Sequence, residues 1–193
     1  MSQLVCPECG KPAASGRKLT KYHYRESGLE NVWLHGGVVE SNCANCGNSS
    51  IRIWKEAQLL QVIAKGLLME PRPLAGPEWR FVRRAAGMSQ VQLASAMRIS
   101  RRETIADREG KQNPKLSFPE EVGSRLILLK SFMTYLTTPG NNSLEPNQFE
   151  ELMQFTGFFR DFAAEVRSIQ PSHRISAAIS QDRWTLEENR PAA

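Results

Sequence analysis

Apolar side chains recur every three to four positions along three stretches of the chain, and each stretch predicts a helix. The first runs from about Trp54 to Leu68, with a stripe made of Leu59, Leu60, Ile63, Leu67 and Leu68. The second, Val122–Leu136, has apolar residues around more than half of its circumference, which indicates burial on two sides. The third, from about Pro146 to Ile169, has a Phe-rich face made of Phe149, Phe155, Phe158, Phe159 and Phe162.

Residues 1–50 show a different pattern, in which short aromatic and β-branched stretches alternate with glycines. Leu19–Arg25 and Asn31–Glu40 are such stretches, and they predict two or three short strands. From Glu78 onward the pattern is helical, in short pieces. A small strand domain followed by an all-α domain with additional C-terminal helices is an α+β fold class.

Prolines and glycines divide the chain into parts. Three prolines and a glycine between Glu70 and Pro77 prevent a helix from continuing, and Thr138–Ser143 is a second break. After Pro171 the helical signal fades, and the last residues are polar enough to be disordered. The predicted parts are a cysteine-containing domain with its trailing helix (1–70), a Pro-rich linker (71–77), a helical domain (78–138) and a helical C-terminal extension (139–193).

Composition places the chain among ordinary soluble proteins. Its 193 residues suggest one or two small domains, and 40% hydrophobic with 23% charged residues excludes collagen-like, coiled-coil and wholly disordered chains. It has no run of about eighteen apolar residues, and its N-terminus lacks the features of a signal peptide. We therefore expect a cytoplasmic, nucleoid-associated protein without a membrane segment, whose thiols stay reduced.

The net charge of +5 is concentrated in the middle of the chain. Residues 71–118 carry +6, against +2 for residues 1–70 and −3 for residues 119–193. A basic segment of this kind favours a polyanionic partner, and a solvated helical surface is the simpler alternative.

Two copies of the motif Cys-x-x-Cys-Gly contain all the cysteines, which are Cys6, Cys9, Cys43 and Cys46. Two intervening residues let both thiolates face one ion, and the following glycine supplies the positive φ that closes the loop. Four thiolates match the closed tetrahedral site of structural zinc, so we predict one structural Zn²⁺ in a zinc ribbon. An iron–sulfur cluster, a redox pair and cysteines that merely pack in the core are the alternatives. We expect His23 and His35 to be ordinary strand or surface histidines.

A short helix, a tight turn and a second short helix are predicted between Met88 and Gly110. Ser89 is expected to cap the first helix, and the Ser100 hydroxyl to cap the second, which ends near Glu109 with Gly110 as its left-handed cap. This order is typical of a helix-turn-helix whose second helix enters the major groove of double-stranded DNA. The predicted DNA-contacting residues are Ser89, Gln90, Ser100, Arg101, Arg102, Thr104, Arg108 and Lys111.

One short helix reads only a few base pairs, so we expect a homodimer on two half-sites. Val122–Leu136 is the expected interface, because its apolar surface is too wide for one small domain to cover. A monomer that packs this helix against Pro146–Ile169 is the alternative. No paired carboxylates, nucleophile–base pair or phosphate-cradling glycine loop stands out, so we do not expect an enzyme.

Met88–Pro114 resembles the Xre/Cro-type helix-turn-helix, and the order of the two motifs resembles the MqsA (YgiT-type) antitoxins over about residues 1–115. Gly36–Glu40, ahead of the second cysteine pair, belongs to the same likeness. The resemblance implies a zinc-stabilised N-terminal domain that binds and neutralises a toxin, often a ribonuclease. It also implies a C-terminal domain that dimerises and represses its own promoter at a palindromic operator.

The chain departs from that family pattern in two places. Asp107 stands where the family has an apolar or aromatic residue, which predicts that the buried positions have shifted by one residue to Ile105 and Glu109. The base-contacting asparagine of the family falls on Arg102, and its neighbouring arginine on Ala106, so the operator should differ. The second departure is the longer chain after about residue 140.

Two other functions remain open. The chain could be a stand-alone transcription regulator without a toxin. It could also be an adaptor whose zinc ribbon and Phe-rich helix bind proteins.

Overall fold

The computed structural model describes residues 5–12, 16–70, 72–112, 114, 116–137, 175–180 and 183–187. Within these residues the chain is mixed α+β, with two β-sheets and five α-helices. It divides into two compact units. Residues 1–62 and 174–193 form the first, here called the cysteine unit, and residues 63–173 form the second, called the helical unit.

The cysteine unit contains two small sheets. Its described strands are β1 (Arg17–Leu19), β2 (Tyr22–His23), β3 (Val32–His35), β4 (Val38–Asn42), β5 (Ser49–Ile53), β6 (Ile175–Ser180) and β7 (Arg183–Leu186). The first sheet has the order β1-β4-β5 and is antiparallel throughout. The second has the order β2-β3-β6-β7, in which β6 runs parallel to β3. Its buried apolar residues include Tyr24, Val32, Leu34, Val38, Leu59, Ala177 and Trp184.

The predicted strand Asn31–Glu40 is two strands in different sheets. The chain passes from β3 to β4 at Gly36 and Gly37, whose φ angles are 79° and 66°. Only glycine adopts this left-handed backbone readily, so the pair permits a sharp change of direction between the sheets. The predicted strand Leu19–Arg25 is likewise divided, between β1 and β2, and β5 was not anticipated.

The described helices are α1 (Glu56–Met69), α2 (Gly76–Ala85), α3 (Gln90–Ala96), α4 (Arg102–Gly110) and α5 (Phe118–Thr137). The predicted helices over 54–68 and 122–136 are confirmed as α1 and α5, whereas the predicted helix Pro146–Ile169 and the break at 138–143 lie outside the described residues. The core of the helical unit includes Leu67, Leu74, Trp79, Val82, Leu93, Ile105, Leu128 and Phe132. None of the helices in the described ranges has both the length and the apolar character that crossing a membrane requires.

Residues 72–76 do not form the separate linker that their prolines predict, and the division between the units falls within α1 instead. Leu74 is fully buried, and the Arg125 guanidinium donates to three backbone carbonyl oxygens beside it. Those acceptors belong to Leu68, Glu70 and Arg72. The Glu121 carboxylate pairs with Arg125 at 2.9 Å and accepts the N–H of Leu74 at 3.1 Å. Arg125 and Glu121 of α5 thus provide hydrogen-bond partners for the backbone groups between α1 and α2.

The C-terminal residues differ most from their prediction. A helical extension with a disordered polar tail was expected, but residues 175–180 and 183–186 form β6 and β7. The alternation of Ile175, Ala177 and Ile179 with serine and alanine, followed by Trp184, was the available strand signal. Its partner strand β3 lies near the other end of the chain, so local composition alone favoured disorder.

The start of α2 packs closely against the end of α4. The N–H of Gly76 donates to the carbonyl oxygen of Lys111 at 2.9 Å, and a Cβ on Gly76 would overlap the carbonyl oxygens of Arg108 and Lys111. Gly110, also helical, is different, because a Cβ there would meet nothing within 4 Å. Packing of α2 against α4 therefore requires a glycine at Gly76 but not at Gly110.

Gly76→Ala is therefore expected to lower the free energy of unfolding by about 1–3 kcal/mol, because the two backbone segments must move apart. Gly110→Ala is the matched control, and it should raise that free energy by up to about 1 kcal/mol through helix propensity. Urea denaturation of both variants measures the difference. Equal effects of the two substitutions would mean that α2 and α4 do not meet at Gly76.

Candidate functional site

The antiparallel sheet brings the two cysteine pairs to the same place. Cys43 and Cys46 lie in the turn between β4 and β5, and Cys6 and Cys9 precede β1. Because β1 pairs with β4 in antiparallel register, the segment before β1 lies near the end of β4, where the second pair begins.

Both cysteine loops are closed by the same backbone hydrogen bonds. In the first loop the N–H of Cys6 donates to the carbonyl oxygen of Lys11 at 2.9 Å, and the N–H of Gly10 donates to that of Cys6 at 3.0 Å. The second loop repeats both bonds at 2.8 Å, through Cys43, Asn48 and Gly47. The glycines have φ angles of 69° and 73°, which confirms the positive φ predicted from the motif.

The four sulfur atoms form one cluster. The Sγ atoms of Cys6 and Cys46 are 3.6 Å apart, those of Cys9 and Cys43 are 3.5 Å apart, and all four lie within 4.8 Å of one another. A disulfide needs about 2.05 Å, whereas four sulfurs about 2.3 Å from a central zinc would be about 3.8 Å apart. The cysteines are therefore free thiols, close enough together to hold a single metal ion.

Hydrogen bonds from backbone N–H groups favour the thiolate form enough to lower the pKa of two of the four cysteines. The N–H of Cys46 is the main cause that lowers the pKa of Cys43 to about 6, and the N–H of Cys9 lowers the pKa of Cys6. At Cys46 the N–H of Asn48 favours the thiolate, but burial and the neighbouring sulfurs outweigh it and raise the pKa to about 12. Thiols this close cannot all ionise unless a cation offsets their charge.

His23 and His35 are not part of the cluster, which consists of the four cysteines alone within the described chain. The His23 ring stacks on Trp33 with centroids 4.6 Å apart, and its Nε2 bonds the carbonyl oxygen of Glu30 at 2.6 Å. His35 lies 3.8 Å from the carboxylate of Glu187. Both histidines lie in strands, as predicted, and each has a partner within the cysteine unit.

In the helical unit, α3 begins with the cap predicted for Ser89. The Ser89 hydroxyl accepts the N–H of Gln92 at 3.2 Å, and the Gln92 side chain accepts the N–H of Ser89 at 2.7 Å. This reciprocal pair satisfies donors that a helix start leaves open. The Ser89 hydroxyl is thus engaged in the cap.

A left-handed residue turns the chain sharply between α3 and α4. Arg98 has a φ of 56°, and the following N–H, of Ile99, donates to the carbonyl oxygen of Ala94 at 2.8 Å. This is the Schellman arrangement that α2 also uses at its end, where Gly87 occupies the left-handed position. The turn is therefore tight even though no glycine marks it in the sequence.

The caps predicted for α4 are wrong by one residue at each end. The N-cap is Arg101, in extended conformation and without a side-chain cap, rather than Ser100. Because the left-handed turn is at Arg98, the chain needs one more extended residue before it can enter the helix. Gly110 is the last helical residue rather than a left-handed cap. Lys111 follows it in extended conformation, and its carbonyl oxygen accepts a hydrogen bond from the N–H of Gly76 at the start of α2.

The buried face of α4 has the predicted register. Ile105 and Glu109 are 2% and 1% exposed, whereas Asp107 lies on the exposed side. The shift by one residue predicted from Asp107 is thereby confirmed. This register determines which side chains of α4 face away from the core of the helical unit.

Glu109 is buried because donors from two other helices surround its carboxylate. Arg83 of α2 approaches it with two nitrogens, at 2.5 and 2.9 Å, and the Gln90 side chain at the start of α3 donates at 2.9 Å. Arg83 also donates to the carbonyl oxygen of Met88 at 2.6 Å. One carboxylate therefore connects α2, α3 and α4. Arg83 was missed from sequence, although an arginine between the apolar positions of α2 was a signal for a buried ion pair.

Four of the predicted DNA-contacting residues lie together where α4 begins. They are Ser100, Arg101, Arg102 and Thr104. Ser100 and Arg101 are exposed, Arg102 is the first residue of the helix, and Thr104 is half-buried. Exposed polar and basic residues thus directly precede α4.

The other predicted contacts have protein partners elsewhere. Arg108 donates at 2.8 Å to Glu120 at the start of α5, Lys111 pairs with Asp107 across one turn, and Gln90 is bonded to Glu109 as described. The Arg108 side chain is only 20% exposed. These residues support the frame around α4, and the structure does not bring them together with the start of that helix.

Replacing Cys43 by serine is expected to abolish the binding of one metal equivalent and to unfold the cysteine unit, because metal binding energy is folding energy in such sites. His35→Gln is the matched control and should retain the metal. Metal content per chain and protease resistance of residues 1–62, with and without chelator, measure this. A serine variant that kept its metal, or unchanged resistance under chelator, would refute the cluster as a metal site.

Glu109→Gln is expected to lower the free energy of unfolding by about 3–5 kcal/mol, because it leaves the buried Arg83 without its counter-charge. Asp107→Asn makes the same chemical change two residues earlier, in a pair whose side chains are 62% and 55% exposed, and should cost less than about 1 kcal/mol. Urea denaturation compares the two variants. Similar losses would show that α4 is not buried in this register.

Comparison of the chain with protein-family models, with curated proteins and with solved structures found no match. The geometry of the sulfur cluster and of helices α2, α3 and α4 is therefore the basis for assigning a function.

Proposed function

We propose that this chain is a sequence-specific regulator that binds double-stranded DNA as a homodimer and carries one structural Zn²⁺. In this proposal it represses its own promoter at a palindromic operator and acts as the antitoxin of a toxin–antitoxin pair. The observation that carries the proposal is the arrangement of α2, α3 and α4 around the Glu109 carboxylate, with Ser100 and Arg101 exposed directly before α4.

The proposal assigns α3 and α4 to a helix-turn-helix of the Xre/Cro type. Support comes from the short turn at Arg98, from the Ser89 cap, and from the buried pair of Ile105 and Glu109. In such motifs the N-terminal residues of the second helix contact base edges. Arg101 and Arg102 occupy those positions, and arginine can pair bidentately with guanine.

Charge supports a polyanionic partner for this unit. Residues 71–118 carry +6 although Arg83 and Arg108 are paired with acidic groups. Arg84 on α2, Arg98 in the turn after α3 and Arg101 before α4 are exposed, so cationic side chains remain at the surface of this unit. Contacts from such side chains to phosphates would position the protein without reading sequence.

The identity of the metal as zinc rests on the donor set. Four thiolates leave no open coordination position, which suits a structural Zn²⁺. An Fe–S cluster uses the same ligands but absorbs visible light, whereas Zn²⁺, a d¹⁰ ion, does not. A colourless protein with one zinc per chain is the expected result.

A homodimer is proposed through the side of α5 that carries Leu126. Leu128 and Phe132 are buried, whereas Leu126 on the same helix is 47% exposed. A second copy would cover this apolar side chain, and a dimer is needed to read two half-sites.

The antitoxin role rests on the resemblance to MqsA-type proteins. A small toxin gene adjoining this one would distinguish it from a stand-alone regulator. An adaptor function is the other candidate, and it is favoured by Trp54 in the cysteine unit, whose side chain is 56% exposed.

The proposal predicts tight binding to DNA from immediately upstream of the chain's own gene. At physiological salt with excess unrelated duplex, fluorescence anisotropy should show a discrete complex with a Kd of about 10 nM or lower. Arg101→Ala and Arg102→Ala should each weaken it by about 1–3 kcal/mol, whereas Lys111→Ala should weaken all sequences alike and reduce the salt slope by about one.

Lys18→Ala removes one positive charge from the cysteine unit and is the control, with no expected effect on affinity. Loss of the complex under competitor would leave only non-specific electrostatic binding. Full activity of a chain lacking both Arg101 and Arg102 would favour the adaptor instead.

A further inference from the structure

The hairpin of β6 and β7 is attached to the N-terminal strands along one edge of β3. β6 pairs in parallel with β3, from Val32↔Ile175 to His35↔Ala178, and the N–H of Ile175 donates to the carbonyl oxygen of Asn31 at 2.8 Å. Among the described strands β7 pairs with β6 alone, so within them the hairpin joins the rest of the sheet through β3.

One indole anchors this hairpin. Trp184 is 1% exposed, its Nε1–H donates to the carbonyl oxygen of Trp54 at 2.5 Å, and its backbone N–H donates to the side chain of Gln58 at 3.3 Å. The ring lies against Gly37, where a Cβ would be only 2.7 Å from Cζ2. Gly37 therefore serves two purposes, since its positive φ turns the chain and its missing side chain makes room for the ring.

Trp184 is the largest buried side chain of the hairpin. Among the described residues of the hairpin, only Ala177 and Trp184 are buried, and the others are half-buried or exposed. Apolar burial scales with area, so the indole contributes more than any other single side chain of the hairpin. Residues 63–173 separate the hairpin from the rest of the cysteine unit along the chain, and loop-closure entropy opposes its docking.

We propose that the edge of β3, together with the Gly37 cradle, is a strand-addition site for an extended segment that carries an indole. Its occupant is the chain's own C-terminal hairpin, which detaches as a unit while the remaining strands stay folded. When the hairpin leaves, the backbone groups on that edge of β3 become available to another extended segment.

Detachment also changes how the helical unit is connected. Residues 63–173 are continuous with the cysteine unit at both ends while the hairpin is docked. Once it detaches, the second end of residues 63–173 is no longer anchored to the strands of the cysteine unit, whereas the first end remains continuous with that unit through α1. The hairpin thus acts as a clasp, independently of whether the helical unit binds DNA.

Hydrogen exchange of the intact wild-type chain tests the clasp directly. The amides of β6 and β7 should exchange together, at least tenfold faster than those of β4 and β5, and at a rate independent of protein concentration. Equal protection of all four strands would overturn the proposal. Protection that rises with concentration would also overturn it, since the occupant would then be the hairpin of a second copy.

A peptide with the sequence of residues 174–187 tests the site. It should bind the full-length Trp184→Ala variant, whose own hairpin lacks its anchor, at least tenfold more tightly than it binds wild type. Leu186→Ala, on the same strand but 37% exposed, should behave like wild type. A peptide with alanine in place of the tryptophan should bind none of them.

Any other pattern of peptide binding would overturn the assignment. If the Trp184→Ala variant does not fold, hydrogen exchange of the wild-type chain decides the question alone. Neither measurement uses DNA, so failure of the clasp and failure of the proposed DNA-binding function are separate results.

Discussion

A buried carboxylate sets the arrangement of the helical unit. Glu109 is 1% exposed, and a charge so far removed from water must be matched by donors in fixed positions. Arg83 and Gln90 supply them from α2 and α3, so the three helices can meet only in a narrow range of orientations. The same rule applies at Arg125, where burial lowers the pKa and the charge of Glu121 opposes that shift. Which side of α4 faces solvent therefore follows from which of its acidic residues is buried.

The cysteine unit depends on links between segments that are distant along the chain. Its strands are two to six residues long, and strands this short do not persist without further support. The sulfur cluster connects the segment before β1 with the turn after β4, and Trp184 connects the C-terminal hairpin with Gly37. Both cysteine loops are closed by their own backbone hydrogen bonds, so the sulfur cluster joins two locally closed structures.

The two units are also connected by the order of their segments. Residues 63–173 are inserted between the two parts of the cysteine unit, so whatever stabilises that unit holds both ends of the helical unit. In the proposed regulator, metal binding would thus stabilise the unit to which both ends of the inserted helical segment are joined.

The sequence by itself determined the features whose causes are local. The cysteine loops, the Ser89 cap, α1 and α5 depend on residues within a few turns of one another, and local spacing records them. Only the tertiary structure decided that Leu74 is buried, that Arg108 is bonded to Glu120, and that residues 175–180 and 183–186 form strands. In each case the partner is distant in sequence, and a hydrogen bond or ion pair between distant residues leaves no periodic pattern in either segment.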